Sequence, residues 1–318
     1  ITILSPTHTI LSSGGAWVQV TSTASTVNWS AADLNGVQVG SGSVSTAFGP
    51  ATLVLPSVGP GFYALHLTTP TGASADSTFS VVANSWINNS AKPNPFGSNM
   101  HPWTATPAEA YAIGAGGLAS MRIDVRWELV EKSAGVYTWD PAADTMIGYL
   151  NGGGVRPVVV LGYANPLYDG GATPSTPAGI AAFAAYAAAA AQHYGANVDY
   201  DVFNEYNVAG TNNSACGTTA DCYVALIQPA ANAIHAAVPA ARVVGPTVGG
   251  FTQDWIGATP DSYAWLKRFL DLGGLSFVDV LAIHNYTWPV VGPPEGNNDT
   301  VITAVRALAA GYTGGSTT

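Results

Sequence analysis

Hydrophobic and polar positions follow two different patterns along the chain, and the change falls near residue 83. Before it, short segments rich in β-branched and aromatic residues are separated by clusters of Gly, Pro and Ser, without a helical period. This pattern predicts a small all-β domain over residues 1–83, with an immunoglobulin-like sandwich as its fold. The predicted strands are 16–20, 26–29, 51–55, 61–67 and 77–82.

From residue 84 onward, apolar strands alternate with helical segments, which is the pattern of a fold built from βα units. Six units follow in order, and their strands are mostly apolar, as expected when both faces are buried. We therefore predict that residues 84–318 form the first six units of a (β/α)8 TIM-type barrel. The predicted strands are 95–101, 118–125, 156–162, 198–203, 242–246 and 278–284, and the predicted helices are one that begins after Thr106, then 144–151, 178–194, 222–238, 262–272 and 300–311.

A complete barrel needs two more strands, and an open arc of six strands would expose two long apolar edges. We expect the carboxyl-terminal units to be missing from this chain or to be carried by another chain. A closed sheet formed by this chain alone would contradict that expectation.

The composition argues against several classes of partner. Charged residues make up 9% of the 318 residues, and the net charge is −10, with nine Lys and Arg that are not clustered. Phosphate binding requires clustered cations, so we expect no nucleic acid partner. A neutral, hydroxyl-rich ligand fits this balance better. No apolar run reaches the ~20 residues of a membrane span.

The two cysteines, Cys216 and Cys222, lie six positions apart. A metal site would need two more soft ligands nearby, and no other His or Cys is in local reach. We favour a disulfide over two free thiols, which implies an oxidising compartment and a secreted or periplasmic protein. Because the chain begins at Ile1 without a charged leader, we expect any export signal to have been removed or left out. No other pattern predicts a metal or cofactor site.

The segment with the clearest chemistry is a short apolar strand that ends in Asn204 and Glu205. The chain has five glutamates, and Glu205 alone follows a predicted core strand directly. In barrels of alternating strands and helices, the carboxyl ends of the strands carry the active site. A structural role, in which both residues cap the next helix and face solvent, is the alternative.

Three motifs in sequence order carry a family resemblance: Asn204-Glu205, the stretch Glu131 to Asp140 after the second barrel strand, and Ile283-His284-Asn285-Tyr286 at the sixth. Together they resemble the retaining glycoside hydrolases of clan A, and family 39 within that clan, over about residues 94–310. The resemblance implies that Glu205 is the general acid/base. It also implies that Asn204 hydrogen-bonds the 2-hydroxyl of the sugar.

A retaining enzyme needs a second carboxylate, the nucleophile, roughly 5–5.5 Å from the acid/base. The resemblance implies a Glu at the end of a seventh strand, beyond this chain. Glu295 follows Glu205 but lies in a Pro- and Gly-rich segment without a strand to position it. Glu128 and Glu131 follow the second strand, where the resemblance makes Glu131 part of a structural turn.

Other strand ends offer side chains suited to sugars. Aromatic faces stack on pyranose rings, while His, Asn and Arg hydrogen-bond hydroxyl groups. The resemblance assigns to Arg126 and Tyr286 a contact with the nucleophile. The candidate substrate-binding residues are Asn204, His101, Trp103, Arg126, Tyr163, His284, Tyr286 and Trp288.

We therefore predict an exported glycosidase that cleaves O-glycosidic bonds of a polysaccharide or oligosaccharide by double displacement. Two alternatives remain: a carbohydrate-binding protein on a catalytically dead barrel, and a transglycosylase. The sequence leaves open the sugar, its anomeric configuration, endo or exo action, and the oligomeric state. It also leaves open whether the sandwich binds sugar, acts as a spacer or braces its neighbour.

Overall fold

The computed structural model of the protein describes residues 1–4, 8–11, 17–55, 57–81, 96–100, 113–114, 117–251, 261–285 and 294–312. Within these ranges the chain divides into two compact units. The first unit takes in residues 1–98, 106–119 and 152–155, and the second takes in residues 99–105, 120–151 and 156–318. The domain boundary that the sequence predicts, between residues 83 and 84, lies outside the described residues.

The first unit consists of short strands, which in chain order are β1 (Thr2–Ile3), β2 (His8–Leu11), β3 (Trp17–Thr21), β4 (Thr26–Asp33), β5 (Gln38–Ser45), β6 (Ala51–Val54), β7 (Gly61–Thr68) and β8 (Ser74–Val81). They form a three-stranded antiparallel sheet of order β1-β3-β6 and a five-stranded sheet of order β2-β8-β7-β4-β5. Every strand predicted in this region overlaps one of them. The sequence pattern did not predict β1, β2 or β5.

Alternate side chains of the two sheets meet in one hydrophobic core. In β7, for example, Tyr63, Leu65 and Leu67 are buried while the residues between them are exposed. This period of two matches a strand with one face toward the core and one toward solvent. The core consists of Val18, Val20, Val27, Ala31, Leu53, Leu55, Tyr63, Leu65, Leu67 and Phe79.

A six-stranded sheet, which lies in the second unit from β10 onward, consists of β9 (Gly97–Met100), β10 (Ser120–Arg126), β13 (Arg156–Gly162), β14 (Asp199–Val202), β15 (Arg242–Gly249) and β16 (Val280–His284). The order in the sheet is β16-β15-β14-β13-β10-β9, so neighbours in the sheet follow one another along the chain. The pairs from β10 to β16 are parallel. A small hairpin, β11 (Glu131–Ser133) with β12 (Val136–Tyr137), follows β10.

Helices connect the strands of this sheet, which makes the unit a mixed α/β fold with a curled, half-barrel sheet. They are α1 (Trp127–Val130), α2 (Pro141–Gly152), α3 (Pro177–Tyr194), α4 (Ala220–Ala237), α5 (Ser262–Asp271) and α6 (Pro294–Ala310). The long helices begin at polar caps: Thr176 before α3 and Thr219 before α4 each accept a backbone N–H of the first turn.

The strands and helices predicted for this region are confirmed wherever the structure describes them, and their bounds differ by a few residues. The helix predicted after Thr106 lies outside the described residues. In the described residues, β9 and β16 are the two ends of the sheet order, so the sheet is open, as the count of six units predicted. Side chains of β14 are buried throughout, whereas those of β16 are half-buried.

Candidate active site

Glu205 lies just past the carboxyl end of β14, on a backbone that turns sharply. Both Phe203 and Glu205 have positive φ, 69° and 50°, a conformation that is uncommon outside glycine and often found at functional sites. The Glu205 carbonyl accepts hydrogen bonds from the Val208 N–H (2.9 Å) and the Thr211 hydroxyl (2.7 Å). The turn is therefore fixed by its own hydrogen bonds.

The Glu205 carboxylate is hydrogen-bonded to His284, which ends β16, with 2.7 Å between Oε1 and Nδ1. Both side chains are mostly buried, with exposed fractions of 18% and 17%. They are contributed by strands that are separated in the sheet by β15. The structure thus brings together two candidate residues that lie 79 positions apart in the sequence.

Gly249 makes this contact possible, because it ends the intervening strand β15 and is the register partner of His284. A Cβ added at Gly249 would lie 2.9 Å from Glu205 Oε1 and 3.0 Å from its Cδ. Any larger residue would therefore displace the carboxylate. The Asn207 side chain holds the Gly249 backbone by accepting from its N–H (3.0 Å) and donating to its carbonyl (2.9 Å).

Arg122, in the middle of β10, orients the side chain of Asn204. Arg122 Nη2 donates to Asn204 Oδ1 (2.7 Å) and to Asp201 Oδ2 (2.8 Å). The Asp201 carboxylate, 1% exposed, also accepts from the Thr247 hydroxyl at 2.6 Å. Burial raises the pKa of Asp201, and the charge of Arg122 opposes that rise. Because Arg122 binds the amide oxygen of Asn204, the amide nitrogen faces the other way.

Tyr163 follows β13 and lies close to the same groups. Its ring packs edge-on against Phe203, with centroids 5.6 Å apart. Burial raises the pKa of Tyr163 to about 12, with further upward contributions from Asp124, Asp201 and Glu205. The phenol therefore stays protonated at neutral pH and is able to donate a hydrogen bond.

Arg126, the last residue of β10, pairs with a carboxylate of its own. It forms an ion pair with Glu128 and is nearly half exposed. It also lines a cavity of about 340 Å³ together with Asp124, Trp139 and Tyr194. Glu205 and His284 do not line this cavity, so the site is defined by the hydrogen-bonded strand ends and not by the cavity.

The other carboxylates named from the sequence have structural surroundings. Glu131 is buried and accepts from Trp127 Nε1 (2.6 Å), the Gly135 N–H (2.6 Å) and the Tyr168 hydroxyl (2.7 Å), consistent with a structural turn. Glu295 lies in the first turn of α6 and not in a loop, which corrects the sequence interpretation. Four candidate binding residues, His101, Trp103, Tyr286 and Trp288, lie outside the described residues.

The predicted disulfide is confirmed: Cys216 and Cys222 are bonded, with 5.9 Å between their Cα atoms. Among the described residues, no group of three or more His, Cys, Asp or Glu side chains is arranged to hold a metal ion. No helix in the same residues has the length and apolar character to cross a membrane.

Sequence reasoning missed Arg122, Asp201, Thr247 and Gly249. A signal was present for the first of these, because Arg122, Asp124 and Arg126 alternate with buried Met121, Ile123 and Val125 along β10. That period of two places all three polar side chains on one face of the strand. Nothing in the sequence distinguishes Gly249 from the many other glycines.

No protein-family model matches this sequence, and no curated protein matches it. The structure, however, is similar to a family 39 glycoside hydrolase from the gut symbiont Bacteroides cellulosilyticus WH2, with a TM-score of 0.70 and 20% identity over 92% of this chain. The fold is that of a glycoside hydrolase. This chain spans 61% of the length of that structure.

Two xylanases are also similar in structure. One is a GH10 endoxylanase retrieved from a sugarcane soil metagenome, with a TM-score of 0.50 and 15% identity over 67% of this chain and 64% of that one. The other is xylanase XynB from Paenibacillus barcinonensis, with a TM-score of 0.50 and 17% identity over 67% and 66%. The resemblance to clan A and family 39 drawn from the motifs is therefore confirmed at the level of the fold.

Proposed function

We propose that this protein is a retaining glycoside hydrolase that cleaves O-glycosidic bonds of a polysaccharide or oligosaccharide. The observation that carries the proposal is the carboxyl group of Glu205, held by His284 at the carboxyl edge of a glycoside hydrolase sheet. Catalytic residues of such folds lie at that edge. Glu205 is the general acid/base: it protonates the leaving oxygen and later takes a proton from water.

The neighbouring residues support this role for Glu205. The hydrogen bond from His284 fixes one carboxyl oxygen, so the other is the one to meet the glycosidic oxygen. Arg122 turns the amide nitrogen of Asn204 away from the sheet interior, which suits a contact with a sugar hydroxyl. The protonated phenol of Tyr163 is a further donor for the sugar.

The reaction also needs a nucleophilic carboxylate about 5–5.5 Å from Glu205. We propose that a further polypeptide segment supplies it from a strand beside β16. Side chains of β16 are only half-buried, as expected for a strand that, among the described residues, pairs with β15 alone. The carboxyl end of an added parallel strand would lie about 4.8 Å from the end of β16, and so beside His284, the partner of Glu205.

The remaining predictions belong to this proposal. An immunoglobulin-like sandwich domain precedes the barrel, and the disulfide is consistent with a secreted or periplasmic protein. Carbohydrate is the substrate, and the reaction proposed for Glu205 needs no metal or cofactor.

The test compares Glu205→Gln with wild type, each with the segment that supplies the nucleophile present, on two glycosides that differ in the leaving group. Loss of the acid should lower kcat/KM for an unactivated glycoside by at least ~100-fold. A dinitrophenyl glycoside leaves without protonation, so its glycosylation step should be affected far less. Asp221→Asn, which alters the exposed ion pair with Arg268 between α4 and α5, is the matched acid-to-amide control and should keep near-normal turnover of both.

An equal loss of kcat/KM on both glycosides would indicate a structural role for Glu205, and unchanged turnover of both would remove it from the mechanism. Saccharide binding without turnover, in a wild type that carries the segment with the nucleophile, would favour the catalytically dead barrel. Products extended by an added acceptor sugar would identify a transglycosylase.

A further inference from the structure

The three-stranded sheet of the first unit turns an apolar and neutral face to solvent. Val18 and Val20 of β3 point into the core, so Trp17 and Gln19 point outward. Trp17 is 56% exposed, and Val54, its register partner on β6, is 66% exposed. The solvent-exposed indole of Trp17 therefore lies beside the exposed side chain of Val54.

The next row of this face is polar. Gln19 is the register partner of the exposed Thr52, and it lies about 7 Å along β3 from Trp17, which is two residues of strand rise. Leu4, whose N–H donates to the Gln19 carbonyl at 2.8 Å, is also exposed. The outward residues described for this sheet carry no charge, on a chain whose net charge is −10.

We propose that this face, made by Trp17, Val54, Gln19 and Thr52, is a binding site for a neutral polysaccharide. An indole face packs on the C–H groups of a pyranose ring, and its large apolar area gives most of the binding free energy. Amide and hydroxyl side chains in the adjacent row hydrogen-bond the equatorial hydroxyls of the same or the next sugar. A row spacing of about 7 Å suits one sugar unit.

A protein partner fits this face less well. A stable protein interface needs about 800 Å² from each side, and three exposed apolar side chains, Trp17, Val54 and Leu4, supply far less. An anionic polysaccharide is disfavoured too, because the face offers no cation to pair with it and the chain is acidic.

The matched control is Phe48, in the turn after β5, whose side chain is fully exposed. Phe48→Ala removes an exposed aromatic side chain from the same unit without touching the proposed site. A second control, Phe62 on β7, is 43% exposed and lies on the outer face of the other sheet.

The experiment measures retardation of the whole chain in native gels that contain xylan, galactomannan or hydroxyethyl cellulose, with polygalacturonate as the anionic probe. We expect the wild type to be retarded by at least one neutral polymer and not by polygalacturonate. Trp17→Ala should weaken that binding by about 10-fold, Trp17→Phe should retain most of it, and Phe48→Ala should match the wild type.

The choice of carbohydrate as ligand rests on the proposed glycosidase function. Because binding is measured separately from turnover, the experiment distinguishes a failure of the binding site from a failure of the glycosidase proposal. Turnover of a short aryl glycoside should be unchanged in Trp17→Ala. Equal retardation of wild type and Trp17→Ala, or no retardation of the wild type by any neutral polymer, would overturn the proposal. A shift from dimer to monomer in Trp17→Ala, seen by light scattering, would instead assign the face to self-association.

Discussion

Arg122 and Arg126 lie on the same face of β10, four residues apart, and each pairs with one carboxylate. Arg122 pairs with Asp201, and the exposed fractions of the two side chains are 21% and 2%. Arg126 pairs with Glu128, with exposed fractions of 46% and 21%. Replacing each arginine by methionine keeps an unbranched apolar stem and removes the charge in both cases, so the two variants differ mainly in the burial of the site.

The expected costs differ several-fold. Removing one partner of a buried ion pair leaves an uncompensated charge and costs about 3–5 kcal/mol, whereas an exposed pair contributes about 0–1 kcal/mol. At ~2–4 °C of Tm per kcal/mol, Arg122→Met should lower Tm by roughly 6–20 °C and Arg126→Met by at most ~4 °C. Removing both charges, in Arg122→Met with Asp201→Asn, should recover part of the loss.

The assay is thermal and urea denaturation followed by circular dichroism at pH 7 and pH 4. Without Arg122, burial of Asp201 raises its pKa further above the ordinary value of 3.8. The folded variant then binds a proton that the unfolded chain has lost, so its stability falls as pH rises above about 4. The penalty of Arg122→Met should therefore be smaller at pH 4 than at pH 7. Equal effects of the two arginine variants, or a penalty independent of pH, would refute the reasoning.

Two further predictions concern the shape of the site and the loop before α4. Gly249→Ala should lower kcat/KM by about 10–100-fold with little change in Tm, because a 1 Å displacement of a catalytic group costs up to about 10²-fold. Gly210→Ala, with no atom closer than 4.0 Å to the new Cβ, is its control, and equal losses in both would contradict the steric argument. Replacing Cys216 and Cys222 by Ser should cost about 2 kcal/mol of unfolding free energy by the loop-entropy relation. An unchanged Tm after reduction would contradict this.

The elements that could be predicted are those whose own side chains have a clear apolar pattern or a high β propensity. The strand β13 has the bounds predicted for it, 156–162, because an apolar run lies between glycines and a polar loop. The strand β5 was missed, since its Gly- and Ser-rich sequence has low β propensity. It pairs with β4 from Ser45 to Gln38, so backbone hydrogen bonds to a neighbour stabilise it. Such bonds do not depend on the side chains of β5, and its sequence therefore does not predict them.

The candidate site was predictable in its types of residue and not in its contacts. Glu205 and His284 were each identified at a strand end, yet their contact depends on a glycine in the strand between them. Arg122 and Arg126 share one face of β10, so periodicity treats them alike. Their burial differs because Arg122 lies in the middle of β10 and Arg126 at its end. Which residues face them follows only from the register of β10 with β13 and of β13 with β14.

The distribution of arginines on this sheet explains how Glu205 is held in position. Asp199 of β14 accepts from Arg156 of β13 (2.6 Å) and from Arg242 of β15 (2.8 Å), while Asp201 binds Arg122 of β10. The strand that precedes Glu205 is therefore linked to neighbouring strands by side-chain contacts at two positions, Asp199 and Asp201. Ion pairs with a buried carboxylate add little net stability, but these oppose a slip of β14 in its register, which would move Glu205 away from His284. A chain with nine Lys and Arg uses three of them for this purpose.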